Sequence, residues 1–259
     1  MTVRPSRTAR VLAALAAVTA VAATATACGA DASDDGHPDH RSFALRGTTL
    51  TVDSDDSALE LVPGDSDQVK VTRWFEGSTV IGGDPKVTWA WQGDEDRLTL
   101  RLDCSGLIAD CSARHRVEVP RGVAVVVKNG DGSVRADGFD KGLDITTGDG
   151  SVRVDDIKGP LRLSGEDGSL NATRVDSRRV TVDTEDGSAH IALRTVPDRV
   201  DARSQDGSLT LTVPGSARYR VTTDTDDGGV DVSVPRDAHS DHRITARAQD
   251  GKVTVRTAN

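Results

Sequence analysis

From residue 117 onward, apolar and polar residues alternate in short runs, and the runs are punctuated by Asp-Gly. The Gly falls at 132, 150, 168, 187, 207, 228 and 251, at intervals that lengthen from 150 − 132 = 18 to 251 − 228 = 23 residues. Two residues after it stand Val134, Val152, Leu170, Ala189, Leu209, Val230 and Val253; four after it stand Ala136, Val154, Ala172, Ile191, Leu211, Val232 and Val255. Seven before it are Val125, Leu143, Leu161, Val180, Val200, Val221 and Ile244; five before it are Val127, Ile145, Leu163, Val182, Ala202, Thr223 and Ala246. Thr223 alone breaks the apolar rule. This period-two alternation predicts two short strands per unit, one ending at Asp-Gly and one beginning after it.

The inward positions are odd offsets before the Gly and even offsets after it. One residue therefore turns the chain without filling a side-chain slot, which a Gly at positive φ does at little steric cost. The preceding Asp can accept backbone N–H bonds in an Asx-type turn, and a following Ser can support the same corner. The predicted corners are Asp131-Gly132, Asp149-Gly150, Asp167-Gly168, Asp186-Gly187, Asp206-Gly207, Asp227-Gly228 and Asp250-Gly251. A third apolar residue recurs where one unit closes onto the next, at Phe139, Ile157 and Val175.

Asp-Gly between alternating strands also suits an antiparallel meander. A hairpin sheet, however, has no reason to repeat one turn identically at one end only. A parallel β-solenoid does, because each coil sits on the last and equivalent positions stack about 4.8 Å apart. The reading is all-β: a parallel β-solenoid (β-helix) of about nine short coils, with a less regular disulfide-bearing N-terminal part. Aromatic residues make up only 3% of the chain, which suits a narrow interior filled by small and β-branched side chains.

The first part of the folded region carries a degraded repeat. Leu50, Val52, Asp56, Leu59 and Leu61 reproduce the offsets with Ser57 in the Gly place; Trp89, Trp91, Glu95, Leu98 and Leu100 do so with Asp96 there. The segment 59–71 also shares its connection pattern with 209–221. Extra material here is expected to cap the N-terminal end, since an open solenoid end exposes strand edges.

Ahead of the repeat lies a different kind of sequence. Arg4, Arg7 and Arg10 precede an unbroken run of small and apolar residues over 11–27, the pattern of a secretory signal peptide. Ala25-Thr26-Ala27-Cys28-Gly29 resembles a bacterial lipobox, although Ala25 stands where that motif prefers Leu. Lipidation at Cys28 would hold the protein at a membrane surface without spanning it. Removing 1–27 deletes three Arg and no acid, taking the net charge from −9 to −9 − 3 = −12. Residues 28–42 are small, polar and acidic and read as a flexible tether, leaving 43–259 as the solenoid domain: irregular coils and cap over 43–116, regular repeats over 117–259. The two remaining cysteines, Cys104 and Cys111, are expected to form one disulfide.

Around the recurrent strand, (Gly/Glu)-Asp-Gly-Ser, strand unit the chain resembles the bacterial "putative adhesin" family of β-strand-repeat proteins, closely over 117–259 and loosely over 43–116. The resemblance implies a β-solenoid and an envelope setting, and it supplies no catalytic or binding residues.

The chemistry legible in the residues is sparse. The acidic balance and the lack of a basic stripe argue against a nucleic-acid partner. The aspartate row could bridge cations, and residues 224–231 are its densest cluster, but neither EF-hand spacing nor the Gly-Gly-x-Gly-x-Asp repeat is present; structural turns are the expectation, with no metal site. Trp89 and Trp91, with Trp74 and Phe75 nearby, could stack on sugars but are expected to form the core of the cap. His37 and His40, and His239 and His242 with Asp237 and Asp241, sit in polar loops; His115 and His190 have no partner pattern. No enzyme signature occurs, no catalytic residue is assigned and no cofactor is implied. The expected protein is a lipid-anchored extracytoplasmic module, not an enzyme, that binds an envelope protein or polysaccharide. Two alternatives stand beside it: a calcium-stabilised adhesive module, and a carbohydrate-active enzyme on a β-helix.

Overall fold

The computed structural model describes residues 31–258. The expected signal peptide and the lipidation site at Cys28 lie outside the described residues. The first strands are β1 (Asp39–Ala44), β2 (Thr49–Ser54), β3 (Ala58–Gly64), β4 (Gln68–Gly82), β5 (Lys86–Gln92), β6 (Arg97–Asp103) and β7 (Gly106–Pro120). Four shorter ones follow: β8 (Ala124–Asn129), β9 (Val134–Asp137), β10 (Leu143–Thr147) and β11 (Val152–Asp155). The last six are β12 (Leu161–Val175), β13 (Arg179–Leu193), β14 (Arg199–Asp206), β15 (Leu209–Val213), β16 (Arg220–Ser233) and β17 (Arg243–Thr257).

The regular units stack in parallel and in register, so the antiparallel meander is not the fold. Before the corner, Val125 faces Leu143 and Leu143 faces Leu161, which faces Val180 and then Val200. After the corner, Val134 faces Val152, then Leu170, Ala189 and Leu209. Both rows are buried, and Phe139, Ile157 and Val175 bury a third. On that third side single backbone bonds join the coils, as from Lys158 N–H to the Phe139 carbonyl (2.9 Å) and from Asp176 N–H to that of Ile157 (2.7 Å). The repeat's apolar positions thus converge on one continuous core.

The corners are crowded as well as turned. Gly168, Gly187, Gly207, Gly228 and Gly251 have φ between +118° and +150°. A Cβ on Gly187 would lie 2.0 Å from the Gly168 carbonyl oxygen, and one on Gly207 would lie 1.8 Å from that of Gly187. Gly132 and Gly150 lack the positive φ but meet the same obstacle, at 1.9 Å and 2.1 Å. Close backbone approach between coils is therefore the demand common to all seven.

The coils do not follow sequence order at either end. β17, the last strand, lies between the preceding coil and β16: Ile244 faces Val200 on one side and Val221 on the other. Val253 likewise faces Leu209 and Val230. At the other end β2 lies between β6 and β8, with Val52 facing both Leu98 and Val127, and β3 lies between β7 and β9. Serial stacking, expected from the repeat alone, holds only in the middle. The long connections at the C-terminal end make the exchange possible, and Tyr219 plugs them. It is fully buried, its hydroxyl donates to the Pro214 carbonyl (2.7 Å), and its backbone bonds to Pro235 and Asp237.

The second degraded repeat is read differently by the structure. Leu98 and Leu100 belong to the strand before the corner, because they face Val52 and Ser54. Asp96 is not a corner; it turns β5 into β6 with φ +47° and accepts the backbone N–H groups of Arg46 (2.9 Å) and Gly47 (2.6 Å). By register, Asp103 and Ala113 both fall where a single Gly would stand, and the chain between them runs out from the corner and back. β4 pairs antiparallel along all of that excursion, and Cys104–Cys111 bridges its base strand (Cα–Cα 6.1 Å). We call the projection, formed by the far halves of β4 and β7, the arm.

Residues 31–42, read from composition as part of a tether, are laid against β4. β1 pairs antiparallel with it, Ala32 is buried, and Asp35 accepts the Phe75 backbone N–H (3.0 Å).

Candidate functional site

The structure sets the corner aspartates in register along one edge. Asp167 faces Asp186, which faces Asp206, then Asp250 and finally Asp227. All five are exposed. The Asp250 carboxyl is held above its usual range, first by desolvation and then by the charges of Asp206 and Asp227. Among the described residues no three His, Cys, Asp or Glu side chains gather as metal ligands would. Exposed carboxylates spaced coil by coil make a charged edge and no cage.

Inside the same edge runs a second row that the apolar pattern did not reveal. Three residues before four of the seven glycines, Asn129, Thr147, Thr184 and Ser204 are buried, and Ser54 occupies the equivalent place before Ser57. Asn129 Nδ2 donates to the Gly132 carbonyl, and Thr147 Oγ1 donates to that of Gly130 (3.2 Å). These two side chains serve corner carbonyls, whereas Thr184 Oγ1 and Ser204 Oγ are buried without a partner. Nearby, His115 replaces an apolar residue in the row after the corner. It is fully buried with Nδ1 3.1 Å from Ser57 Oγ, and burial, then the Arg73 charge, lower its pKa to about 4.

The tryptophans are built into the N-terminal cap. Phe43 and Trp91 stack at 5.1 Å. The guanidinium groups of Arg41 and Arg73 lie 5.0 Å and 4.3 Å from the Trp89 ring centre, and that of Arg114 lies 4.2 Å from Trp74. Their faces are occupied by cations of the chain itself. The loop histidines are likewise engaged separately: His40 Nδ1 with Thr72 Oγ1 (3.1 Å) and His242 Nδ1 with the Pro197 carbonyl (2.9 Å). The His239 backbone N–H donates to Asp237 (2.9 Å), an ordinary loop turn.

A groove of about 750 Å³ opens on the outer face of the strands after the corner, crossing the coils of Ser57, Gly132 and Gly150. Glu60, Arg114, Arg135, Asp137, Asp140 and Lys158 line it. Lys158 pairs with Asp140 at 2.8 Å and lowers that carboxyl's pKa, chiefly through their hydrogen bond. Arg135 and, one coil on, Arg153 face each other in register and have no ion-pair or hydrogen-bond partner among the described residues. Arg114 Nε is buried without a partner. The sequence did carry a signal for the first two: Gly-Ser-Val-Arg occurs twice, at 132–135 and 150–153.

The family model described as Toastrack DUF4097 matches residues 104–259. The chain belongs to this family. The matched part of this Toastrack chain begins at Cys104 and so takes in the arm's β7 half and every regular coil. No curated protein matches it. Among solved structures it is similar to one from Bacteroides fragilis described as "a putative adhesin", at 14% identity and a TM-score of 0.51, over 86% of this chain and 98% of that one. It is also similar to one from Clostridium sporogenes described as "a putative cell adhesion protein", at 9% identity and a TM-score of 0.38, over 86% of this chain and 100% of that one. The first supports the Toastrack fold; neither assigns a site.

Proposed function

We propose that this Toastrack protein is a lipid-anchored extracytoplasmic module. In this reading its fold is a β-solenoid of about nine coils that binds a polysaccharide or protein of the cell envelope along the lateral groove. The observation that carries the reading is the groove, open across adjacent coils and lined by the unpaired Arg135, together with a smaller concavity that shares Ser133 and Arg135 with it and is lined by the unpaired Arg153 one coil on. In a chain of net charge −9, two adjacent arginines left without acidic partners are groups held in reserve for a ligand. Ser133 and Ser151 add hydroxyls beside them, a polar arrangement suited to carboxyl and hydroxyl groups on an extended chain. The lipobox-like Ala25-Thr26-Ala27-Cys28 supports anchoring, and the adhesin descriptions of similar structures support an adhesive role.

Calorimetric titration of the mature chain with soluble wall-glycan fragments and envelope protein fractions tests this. One fraction is expected to bind, and the Arg135→Ala, Arg153→Ala pair should weaken it at least about tenfold, as loss of two charge-assisted contacts does. Equal binding by wild type and the double variant would move the site elsewhere.

A further inference from the structure

We infer that the arm is a second membrane contact: its tip enters the apolar layer of the bilayer to which the chain is anchored. This rests on the anchoring proposed above. Large exposed hydrophobic side chains are rare on this molecule, and four of the five among the described residues are on the arm. Val80 is 73% exposed, Ile81 54%, Leu107 83% and Ile108 59%. Ile81 and Ile108 are paired across the two strands, so the four residues cluster at the end of the arm, with strand neighbours on opposite faces. Such a cluster of exposed apolar side chains on a surface otherwise this polar marks a contact.

The occupant follows from the proposed anchor at Cys28. β1 is laid along β4 from Gln68 to Arg73, and Asp35 holds the Phe75 backbone, where the arm leaves the corner. Asp31, whose pKa is lowered chiefly by the Ser33 hydrogen bonds with a smaller contribution from Arg114, lies at the same place. Three residues separate Asp31 from Cys28, and an extended chain covers at most about 3.6 Å per residue. A lipid on Cys28 would therefore hold the arm's base within roughly 10 Å of the bilayer surface. Leu107 at the tip is four residues from Asp103 at the corner, a reach of roughly 13 Å at 3.3 Å per residue, enough to span that distance. Tethered so closely, the tip meets lipid at high effective concentration.

The rim has the wrong sign for recruitment by anionic headgroups. Asp84 and Asp110 lie within three residues of the tip in sequence, while Lys86 faces Asp103 across β5 and β6 at the base. The contact is therefore apolar, insensitive to salt, and effective because the anchor has already brought the surfaces together.

The test uses the chain from Cys28 onward, which contains the whole described fold. Its Cys28 thiol is coupled to a maleimide lipid in phosphatidylcholine vesicles, while Cys104 and Cys111 stay bridged. With Leu107→Trp as the reporter, emission should fall at least twofold when the lipid acyl chains are brominated, at low and at high salt. The native tryptophans of the uncoupled wild type supply the background. Adding Ile81→Ser and Ile108→Ser should abolish the quenching with the melting temperature unchanged, since these side chains are exposed. Equal emission in the two lipids overturns the proposal. So does a quenching lost in high salt, or a tip-dependent dimer seen by light scattering in place of quenching. Because the anchor is supplied chemically, failure here is separate from failure of acylation, which the mass of the mature chain from its native membrane reads directly.

Discussion

A methyl group on a corner glycine would have to occupy space already held by the carbonyl of the coil beneath. Gly187→Ala should therefore cost about 3 kcal/mol or more, because the clash at 2.0 Å is with backbone and φ is +150°. Gly83→Ala, with nothing within 4 Å of the added atom, should stay within about 0.5 kcal/mol. Urea unfolding of the two variants side by side checks the contrast. His115 gives a second residue-scale expectation. Its folded pKa of about 4 lies below the ordinary imidazole value of 6.5, so the unfolded chain binds the proton first as pH falls. Stability is then lost between pH 6.5 and 4, by up to about 3 kcal/mol. His115→Leu, the residue type found at this place in other coils, should flatten that part of the wild-type profile in chemical denaturation. Ser57 would keep its bond to Ser54 (2.9 Å) in the variant.

Strands and connections set the behaviour of larger pieces. Reducing Cys104–Cys111 should loosen the arm without unfolding the coils, because the bridge lies in the excursion and not in the stacked core. Limited proteolysis should then cut within residues 104–111 while the remainder stays resistant. Tyr219→Phe should cost about 1 kcal/mol for the lost bond to Pro214, and Tyr219→Ala about 3–5 kcal/mol for the cavity. The strand rows, the corners and the Cys pair were legible because each follows from local periodicity or spacing. The antiparallel pairing of β5 with β6 was not. Trp89, Trp91, Leu98 and Leu100 show the same alternation as a coil, and period two does not say whether a strand's neighbour is parallel or antiparallel. The repeated Gly-Ser-Val-Arg marked Arg135 and Arg153 without showing their state: outward positions of a half-buried strand accept almost any polar residue, so both look like solvated surface until their lack of partners is seen.

At the scale of the whole molecule, the exchanged ends separate position in sequence from position in the stack. Sequence repeats alone imply that the last unit is the last coil, and nothing local contradicts that. Only the long connections around Tyr219 give room for another order. β17 is flanked on both sides, whereas β16 has a partner on one side only and is exposed along most of its length. Backbone amides that bond between coils in β17 should accordingly exchange more slowly with deuterium than those of β16, although β17 is nearer the terminus. Faster exchange in β17 would mean that the stack frays in sequence order.

The exchanged C-terminal pair also constrains how the protein is made. A chain delivered from its N-terminal end brings β16 first, yet the slot beside β14 and β15 belongs to a strand that arrives later. β16 must either wait unpaired or pair there in error and be displaced. Arrival of the final residues is thus the event that permits the C-terminal end to close. A chain truncated before residue 243 should keep its earlier coils resistant to protease while β16 is cut.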